Sequence, residues 1–336
     1  MEAAREYLSV ADAREALAGA LDRGRAPALF ERLDWFADLH GHCFPERPVR
    51  IVSAREDKAS VWLFLMDAGP HRAQALANWY SFAWSPVFVG DPDAMTRERL
   101  LGAAARQLLR HCAQIDLYPL EDASEMLAAL RRAGWFAVRR YMGGRYLLHV
   151  RGRSFADYWA ERPGRLRNLV RRKGRGDPFA LSIERVLTDD LWADYVDVHG
   201  RSWKEAEPEG GLAFLHALAR RESDAGTLRL GFARLDGRAV AAQLWTVEHG
   251  VALIHKLNHD RALDARSPGT LLSHAMFAQA IDGDGVETID YGTGDNGYKT
   301  EWMEDRIALQ RIDAFNPRFA SAWLPAARTA ISALVG

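Results

Sequence analysis

Two kinds of hydrophobic pattern alternate along the chain. Some runs are short and apolar or alternating, as in strands; others place apolar residues every three to four positions, as in helices. In the first half, residues 1–25 read as an Ala- and Arg-rich helix. Val49–Ser53 and Val61–Met66 read as strands, and the aromatic-rich run Ala75–Val89 as two strands or one bent strand. Thr96–Cys112 has helical spacing through Leu100, Leu101, Ala104, Leu108 and Leu109. Ile115–Leu117 is a short strand, and Glu125–Ala133 is a helix that stops at Gly134. Phe136–Val150 predicts a hairpin with Gly143 and Gly144 at its turn.

A basic helix over Phe155–Lys173 bridges the halves, broken or kinked at Pro163-Gly164. Phe179–Val186 is then a strand, Asp189 opens a helix to about Trp203, and Leu212–Arg221 is a second helix. Three strands follow, Leu228–Leu235, Ala239–Val247 and Val251–Leu257, joined by the two-residue turns Asp236-Gly237 and His249-Gly250. A helix starts after Pro268-Gly269. Glu287–Tyr291 is a strand, Tyr298–Met303 a short helix, Ala308–Phe315 a last strand and Ala322–Val335 an apolar helix. No short-period repeat is present.

The length of 336 residues suggests two domains, and 48% hydrophobic with 26% charged residues is ordinary for a globular protein. The expected division is residues 1–150, a basic connector 151–178, and a catalytic domain 179–336. No apolar run approaches the roughly 20 residues of a membrane span. The charged start, Met1 to Arg5, lacks a signal-peptide core, so a cytoplasmic location is expected. Cys43 and Cys112 form neither a disulfide framework nor a metal spacing, and no metal is expected. The net charge of −1 hides an asymmetry. Between Arg139 and Arg175 twelve basic residues face two acids, Asp157 and Glu161, for a local net of +10. Such a field attracts an anionic partner.

Two segments could carry chemistry. In Arg266–Thr270, Pro268 presets a helix start, Gly269 admits a ligand to the main chain, and Arg266 adds a charge. The free N–H groups of the first turn make this an anion site suited to a pyrophosphate. The second segment, Gly292–Gly297, reads G-x-G-x-x-G after a strand. The dinucleotide reading fails because the following helix is too short for a crossover and little chain remains. With Lys299 and Trp302 behind it, the loop suggests backbone and one cation facing a ligand. No G-x-S-x-G elbow, H-E-x-x-H or Cys/His pair is present. That suits direct acyl transfer, which needs orientation, a route for one proton, and donors for an oxyanion.

Leu228–Leu235, Asp236-Gly237 and Ala239–Gln243 together resemble the strand–turn–strand of GNAT acyltransferases. His255–Asp260, Ser267–Leu272, Ile289–Gly292, Gly294–Lys299 with Trp302, and Ser202–Lys204 resemble the Fem-like branch. That branch includes the cellulose-biosynthesis-associated acetyltransferases and, more distantly, the peptidoglycan peptidyl transferases. The resemblance covers residues 155–316. It implies an α/β (α+β) fold of tandem GNAT-like domains, each a mixed, mostly antiparallel sheet flanked by helices, the first degenerate. It also implies that Arg266, Ser267, Gly269 and Thr270 hold the donor's pyrophosphate or phosphopantetheine. Lys299 would stabilise negative charge, Asp290 or Asp295 would orient the amine or take its proton, and Trp203, Lys204, Gln243, Lys256, Tyr298 and Trp302 would shape the cleft. The donor segment is shorter and poorer in glycine than the usual acetyl-CoA loop, and His259 stands where an aromatic is expected.

The expected function is therefore N-acyl transfer from acyl-CoA or an acyl carrier protein to an amine. The thioester is a cosubstrate, and no cofactor is permanently bound. The expected acceptor is an amino sugar or small amine of envelope or exopolysaccharide synthesis. One alternative is a Fem-type transferase using aminoacyl-tRNA, with the basic segment meeting its phosphates. The other is an inactive GNAT-like scaffold.

Overall fold

The structure is a computed structural model that describes residues 3–176, 179–202, 207–294 and 297–335. The chain begins with β1 (Arg5–Tyr7), α1 (Val10–Leu17), α2 (Leu33–Cys43), β2 (Val49–Glu56), β3 (Ala59–Asp67), β4 (Arg72–Ala75) and β5 (Val87–Val89). It continues through α3 (Ala94–Leu108), β6 (Gln114–Leu120), α4 (Ser124–Ala133), β7 (Phe136–His149), α5 (Phe155–Ala160), α6 (Gly164–Gly174) and β8 (Ala180–Glu184). Then come α7 (Asp189–Gly200), α8 (Gly211–Asp224), β9 (Leu228–Leu235), β10 (Arg238–Glu248), β11 (Val251–His259) and α9 (Pro268–Ala278). The last elements are β12 (Thr288–Thr293), α10 (Lys299–Trp302), β13 (Asp305–Phe315) and α11 (Trp323–Val335). Among the described residues, no helix is long and apolar enough to cross a membrane.

Two compact units result: Met1–Gly143 with Ala308–Gly336, and Gly144–Ile307. In the first, β1, β2, β3, β4, β6 and β13 lie side by side in that order, antiparallel except for the β4–β6 pair. β3 is buried at every position from Ser60 to Met66, so its continuous apolar run fills the core. In the second, β7, β12, β11, β10, β9 and β8 are neighbours, with only β11 and β12 parallel.

One connection order occurs in both units. A strand leads through two helices to three antiparallel strands, then a helix, then a strand parallel to the third. The first unit runs β1, α1, α2, β2, β3, β4, α3, β6, with the short β5, paired to β3, inserted between β4 and α3; the second runs β8, α7, α8, β9, β10, β11, α9, β12. The repeat is one of topology and leaves no short sequence period.

Several elements differ from the sequence expectation. Phe136–Val150 is a single strand rather than a hairpin. Gly143 does take a positive φ of 74°, but Gly144 serves a close approach, since a Cβ there would lie 2.5 Å from Arg306 Nε. The N-terminal helix is shorter than expected. It starts after Ser9, whose Oγ accepts from Asp12 N at 3.0 Å, and β1 precedes it. Strand structure in the aromatic run is confined to its ends, Ala75 in β4 and Val87–Val89 in β5. The basic helix is two helices, with Pro163 as the N-cap of α6. Unit membership also departs from linear order. β13 groups with the first unit because it pairs with β6 from Gln310↔Leu120 to Phe315↔Gln114, and the basic connector expected over residues 151–178 falls within the second.

Candidate active site

The site is built where β11 hands over to α9. β11 ends at His259, and Asp260 caps a 3-10 turn, Arg261–Arg266, by accepting from Ala262 N at 2.9 Å. Ser267 then takes a left-handed conformation, φ 58° and ψ 45°, and Pro268 starts α9. No side chain caps this helix. The N–H groups of its first turn lack intrahelical partners, so they and the helix dipole form an electropositive mouth. The topologically matching helix of the first unit, α3, is closed. Asp93 Oδ1 accepts from Thr96 N at 2.7 Å, and that N–H holds the Asp93 carboxyl below the usual carboxylate range. The same helix position thus carries its own anion in one unit and is open in the other.

The mouth of α9 opens into a cleft of about 1150 Å³ within the second unit. Ser267, Gly269, Thr270 and Ser273 line one side. A face of α6 lines another, with Arg165, Asn168 and Arg172 recurring at helical spacing and Arg175 at the C-cap beyond them. Arg165 pairs with Glu301, and Arg171 donates to Asn168 Oδ1 at 2.7 Å. Among the described residues no carboxylate pairs with Arg171, Arg172 or Arg175. The α5–α6 segment is held in place by Tyr158 Oη, which donates to Trp302 O at 2.8 Å, and by Arg153 and Arg162 on Glu304. Those guanidiniums, Arg153 foremost, hold the Glu304 carboxyl below its ordinary range.

Beneath the α9 turn lies Gln243, fully buried on β10. Its Nε2 donates to Gly269 O at 3.2 Å and to Ser273 Oγ at 2.7 Å, while its Oε1 accepts from Trp245 Nε1 at 3.0 Å. Both ends of the amide are therefore assigned. The His259 ring packs on Gly269, where a Cβ would come 3.1 Å from Nδ1. The glycine is needed for this approach. Tyr291 and Tyr298 face the cleft edge to face, with centroids 5.8 Å apart, and burial holds the Tyr291 phenol well above its ordinary value.

β11 and β12 pair only at Val251–Leu253 with Thr288–Asp290. Beyond that, β11 has lost its ladder on this side, and Leu257, Asn258 and His259 border the cleft. A bulge adds to the divergence: Leu244 faces Lys256 while Trp245 faces Ile254, leaving His255 extra. Its ring lies 2.9 Å from Thr246 Oγ1, and burial pushes the imidazole down to about 4.

Of the residues singled out from sequence, Ser267, Gly269, Thr270, Tyr298 and Trp302 line the cleft. Gln243 supports it from below. Arg266 does not line it; its guanidinium lies 4.8 Å over the Phe179 ring. Lys256 pairs with Glu207. Asp290 is fully buried, accepting from Arg145 Nε at 2.8 Å and from Gly292 N at 2.8 Å. Lys299 is also buried, with Nζ donating to Thr293 O between the rings of Tyr146 and Tyr291. Asp290 and Lys299 thus bond to the backbone of the Gly-rich turn rather than lining the cleft. Trp203, Lys204 and Asp295 lie outside the described residues. Sequence reasoning missed Tyr291, Ser273 and Asp264 at the cleft. It flagged the arginines of α6 as a basic segment that attracts an anionic partner, without placing them on the cleft.

Residues 162–300 match the sequence profile of the family described as Acetyltransferase (GNAT) domain. No curated protein matches the chain. Among solved structures, the C-terminal domain of a putative lysylphosphatidylglycerol synthetase from Agrobacterium fabrum aligns at 14% identity, covering 96% of this chain and 97% of that one, with a TM-score of 0.58. FemX aligns at 10% identity over 93% and 98%, with a TM-score of 0.57. A tandem GNAT protein from the clavulanic acid biosynthesis pathway aligns at 12% identity over 92% and 98%, with a TM-score of 0.50. At these identities the likeness is one of fold.

Proposed function

We propose that the protein moves an acyl group from a thioester donor, acyl-CoA or an acyl carrier, to an amine, a reading supported by the match of residues 162–300 to the GNAT acetyltransferase profile. The carrying observation is the uncapped N-terminus of α9 facing the unpaired arginines of α6 across one cleft. A phosphate-bearing arm fits between them: the first-turn N–H groups take one phosphate, and Arg172 and Arg175 add full charges. The freed edge of β11 offers main-chain groups to the amides of a pantetheine arm and N–H donors to a developing oxyanion.

In this reading the amine attacks the thioester carbonyl, forming the N–C bond. The tetrahedral oxyanion collapses, the C–S bond breaks, the nitrogen loses a proton and the thiolate gains one. Tyr291, kept protonated by burial and placed at the cleft, is suited to donate a hydrogen bond to the departing sulfur, while the proton released by the nitrogen goes to the thiolate. Asp290 is a positioning residue, because its carboxylate is spent on Arg145 and Gly292. The resemblance to cellulose-biosynthesis-associated acetyltransferases supports an amino sugar or another small amine of envelope or exopolysaccharide synthesis as acceptor.

A second reading has aminoacyl-tRNA as donor, favoured by the same arginine face of α6. Thiol release with a panel of acyl-CoA and acyl-carrier donors, run with amino-sugar and small-amine acceptors, tests the first reading. Release with an N-acylated product is expected. Silence toward every thioester, with transfer from charged tRNA, would replace the first reading by the second.

A further inference from the structure

Two buried amides lie close together on β10 and β11, and they differ. Gln243 has both ends bonded. Asn258 on β11 is 1% exposed, and its Nδ2 donates to Tyr195 Oη of α7 at 3.3 Å. Its Oδ1 is buried and has no hydrogen-bond partner among the described residues. A phenol oxygen can give or take a hydrogen, so turning the amide over only leaves its amino end unpaired instead. An unpaired polar atom in an interior is unfavourable unless a ligand satisfies it. Strand pairing shows where this one lies. Leu257 faces Gln243 across the ladder and Asn258 faces Ala242, so the pleat puts Leu257 on the α9 side and Asn258 on the α7 side. Asn258 nevertheless borders the cleft, where β11 has no β12 partner beyond Leu253↔Asp290. It therefore joins the cleft to the face of the sheet opposite α9. That face holds a second unpaired group. His199, one turn beyond Tyr195 on α7, is 8% exposed, and its Nε2 has no hydrogen bond among the described residues, with Glu207 Oε1 3.5 Å away. Glu207 itself pairs with Lys256, two residues before Asn258 on the same side of β11.

We propose that Asn258 binds the acceptor amine: its side-chain carbonyl accepts an N–H of the incoming nitrogen, which reaches the thioester past the unpaired edge of β11 from the α7 side. This rests on the acyltransfer reading given above, but on none of its donor contacts. A neutral primary amine has two N–H groups and one lone pair. Giving one N–H to Asn258 fixes the nitrogen and leaves the lone pair free to attack. As the N–C bond forms, the nitrogen becomes positive and its hydrogen bond to the carbonyl strengthens, so the contact is stronger in the transition state than in the ground state. Asn258 takes up no proton; the one released by the nitrogen goes to the thiolate, as above. Tyr195 is a positioning residue, because its hydroxyl holds the amide by the other end.

Initial rates of thiol release by the full chain from acetyl-, succinyl- and myristoyl-CoA, with glucosamine and ethanolamine as acceptors, test this. The double variant Tyr195→Phe, Asn258→Leu removes the carbonyl without stranding the Tyr195 hydroxyl in the interior. Its acceptor kcat/KM should fall by about 10- to 100-fold, the worth of a hydrogen bond to a charged group, while its donor KM stays within about twofold of wild type. Tyr195→Phe alone keeps the carbonyl and should lose less. Three results overturn the role of Asn258 and leave the acyltransfer reading standing: a folded double variant whose acceptor kcat/KM stays within about twofold of wild type, a donor KM that rises as far as the acceptor's, or an equal loss in Tyr195→Phe alone. Should the double variant not fold, Asn258→Ala, read by the same split between acceptor and donor, decides in the same way. No thiol release by the wild-type chain with any of these pairs overturns acyl-CoA transfer to such amines and, with it, this inference.

Discussion

Replacing Arg145 with Met removes the charge that faces Asp290 while keeping most of the side-chain length. The Asp290 side chain is 0% exposed and Arg145 is 14% exposed, so solvent cannot replace the lost partner. Gly292 N still donates to the carboxylate, at 2.8 Å. Breaking one side of a buried pair typically costs about 3–5 kcal/mol, because the other charge stays buried and uncompensated. For a 336-residue chain unfolding as one unit that is a fall of roughly 4–7 °C in Tm. Urea unfolding followed by circular dichroism measures the cost. Asp290→Asn on the same background removes the stranded charge and still accepts from Gly292 N. The double variant should therefore be more stable than the sum of the single changes by at least about 1.5 kcal/mol. Activity separates position from chemistry. The folded fraction of Asp290→Asn should keep kcat within a few-fold, whereas loss of a general base costs about 100-fold or more. An Arg145→Met cost below about 1 kcal/mol, strict additivity, or a 100-fold loss of kcat in folded Asp290→Asn would refute the reasoning.

Further expectations follow from the same site. Arg172→Gln and Arg175→Gln should each weaken donor binding by roughly 10- to 100-fold, the worth of a charge-assisted hydrogen bond, with an effect that shrinks as salt rises; a titration series in salt checks this. Gln243→Leu strands Trp245 Nε1 in the interior and removes a donor from Ser273 Oγ and Gly269 O; a cost of about 1–3 kcal/mol in chemical denaturation and a raised donor KM are expected. His255 is pushed by burial from 6.5 down to about 4, so the unfolded chain takes up its proton first. The stability tied to this group is intact above about pH 6.5. It is lost progressively as pH falls toward 4, by roughly 3 kcal/mol in all, and His255→Gln should flatten that part of a stability–pH curve. Gly269→Ala must push the His259 ring aside, and a lowered donor affinity with near-normal Tm is expected from calorimetry and melting.

The sequence by itself determined the local parts. Strand alternation, the turns Asp236-Gly237 and His249-Gly250 and the Pro268 helix start are consequences of φ preferences and apolar period. They appear in the structure as β9, β10, β11 and α9. The start of α9 could be read from two residues, Pro268 and Gly269, because a proline at the first helical position and a glycine beside it have local causes. The structure decided what depends on contacts between distant residues. It put β13 with β6 and made Phe136–His149 one strand by giving the space at Gly144 to Arg306. It turned the expected connector into a wall of the cleft. It also drew Asp290 and Lys299 into ion-pair and backbone bonds away from the cleft, and set His259 against Gly269. A sequence fixes which side chains can ionise or donate; only the packed chain fixes which of them are already satisfied by a neighbour, and so which are left for a ligand.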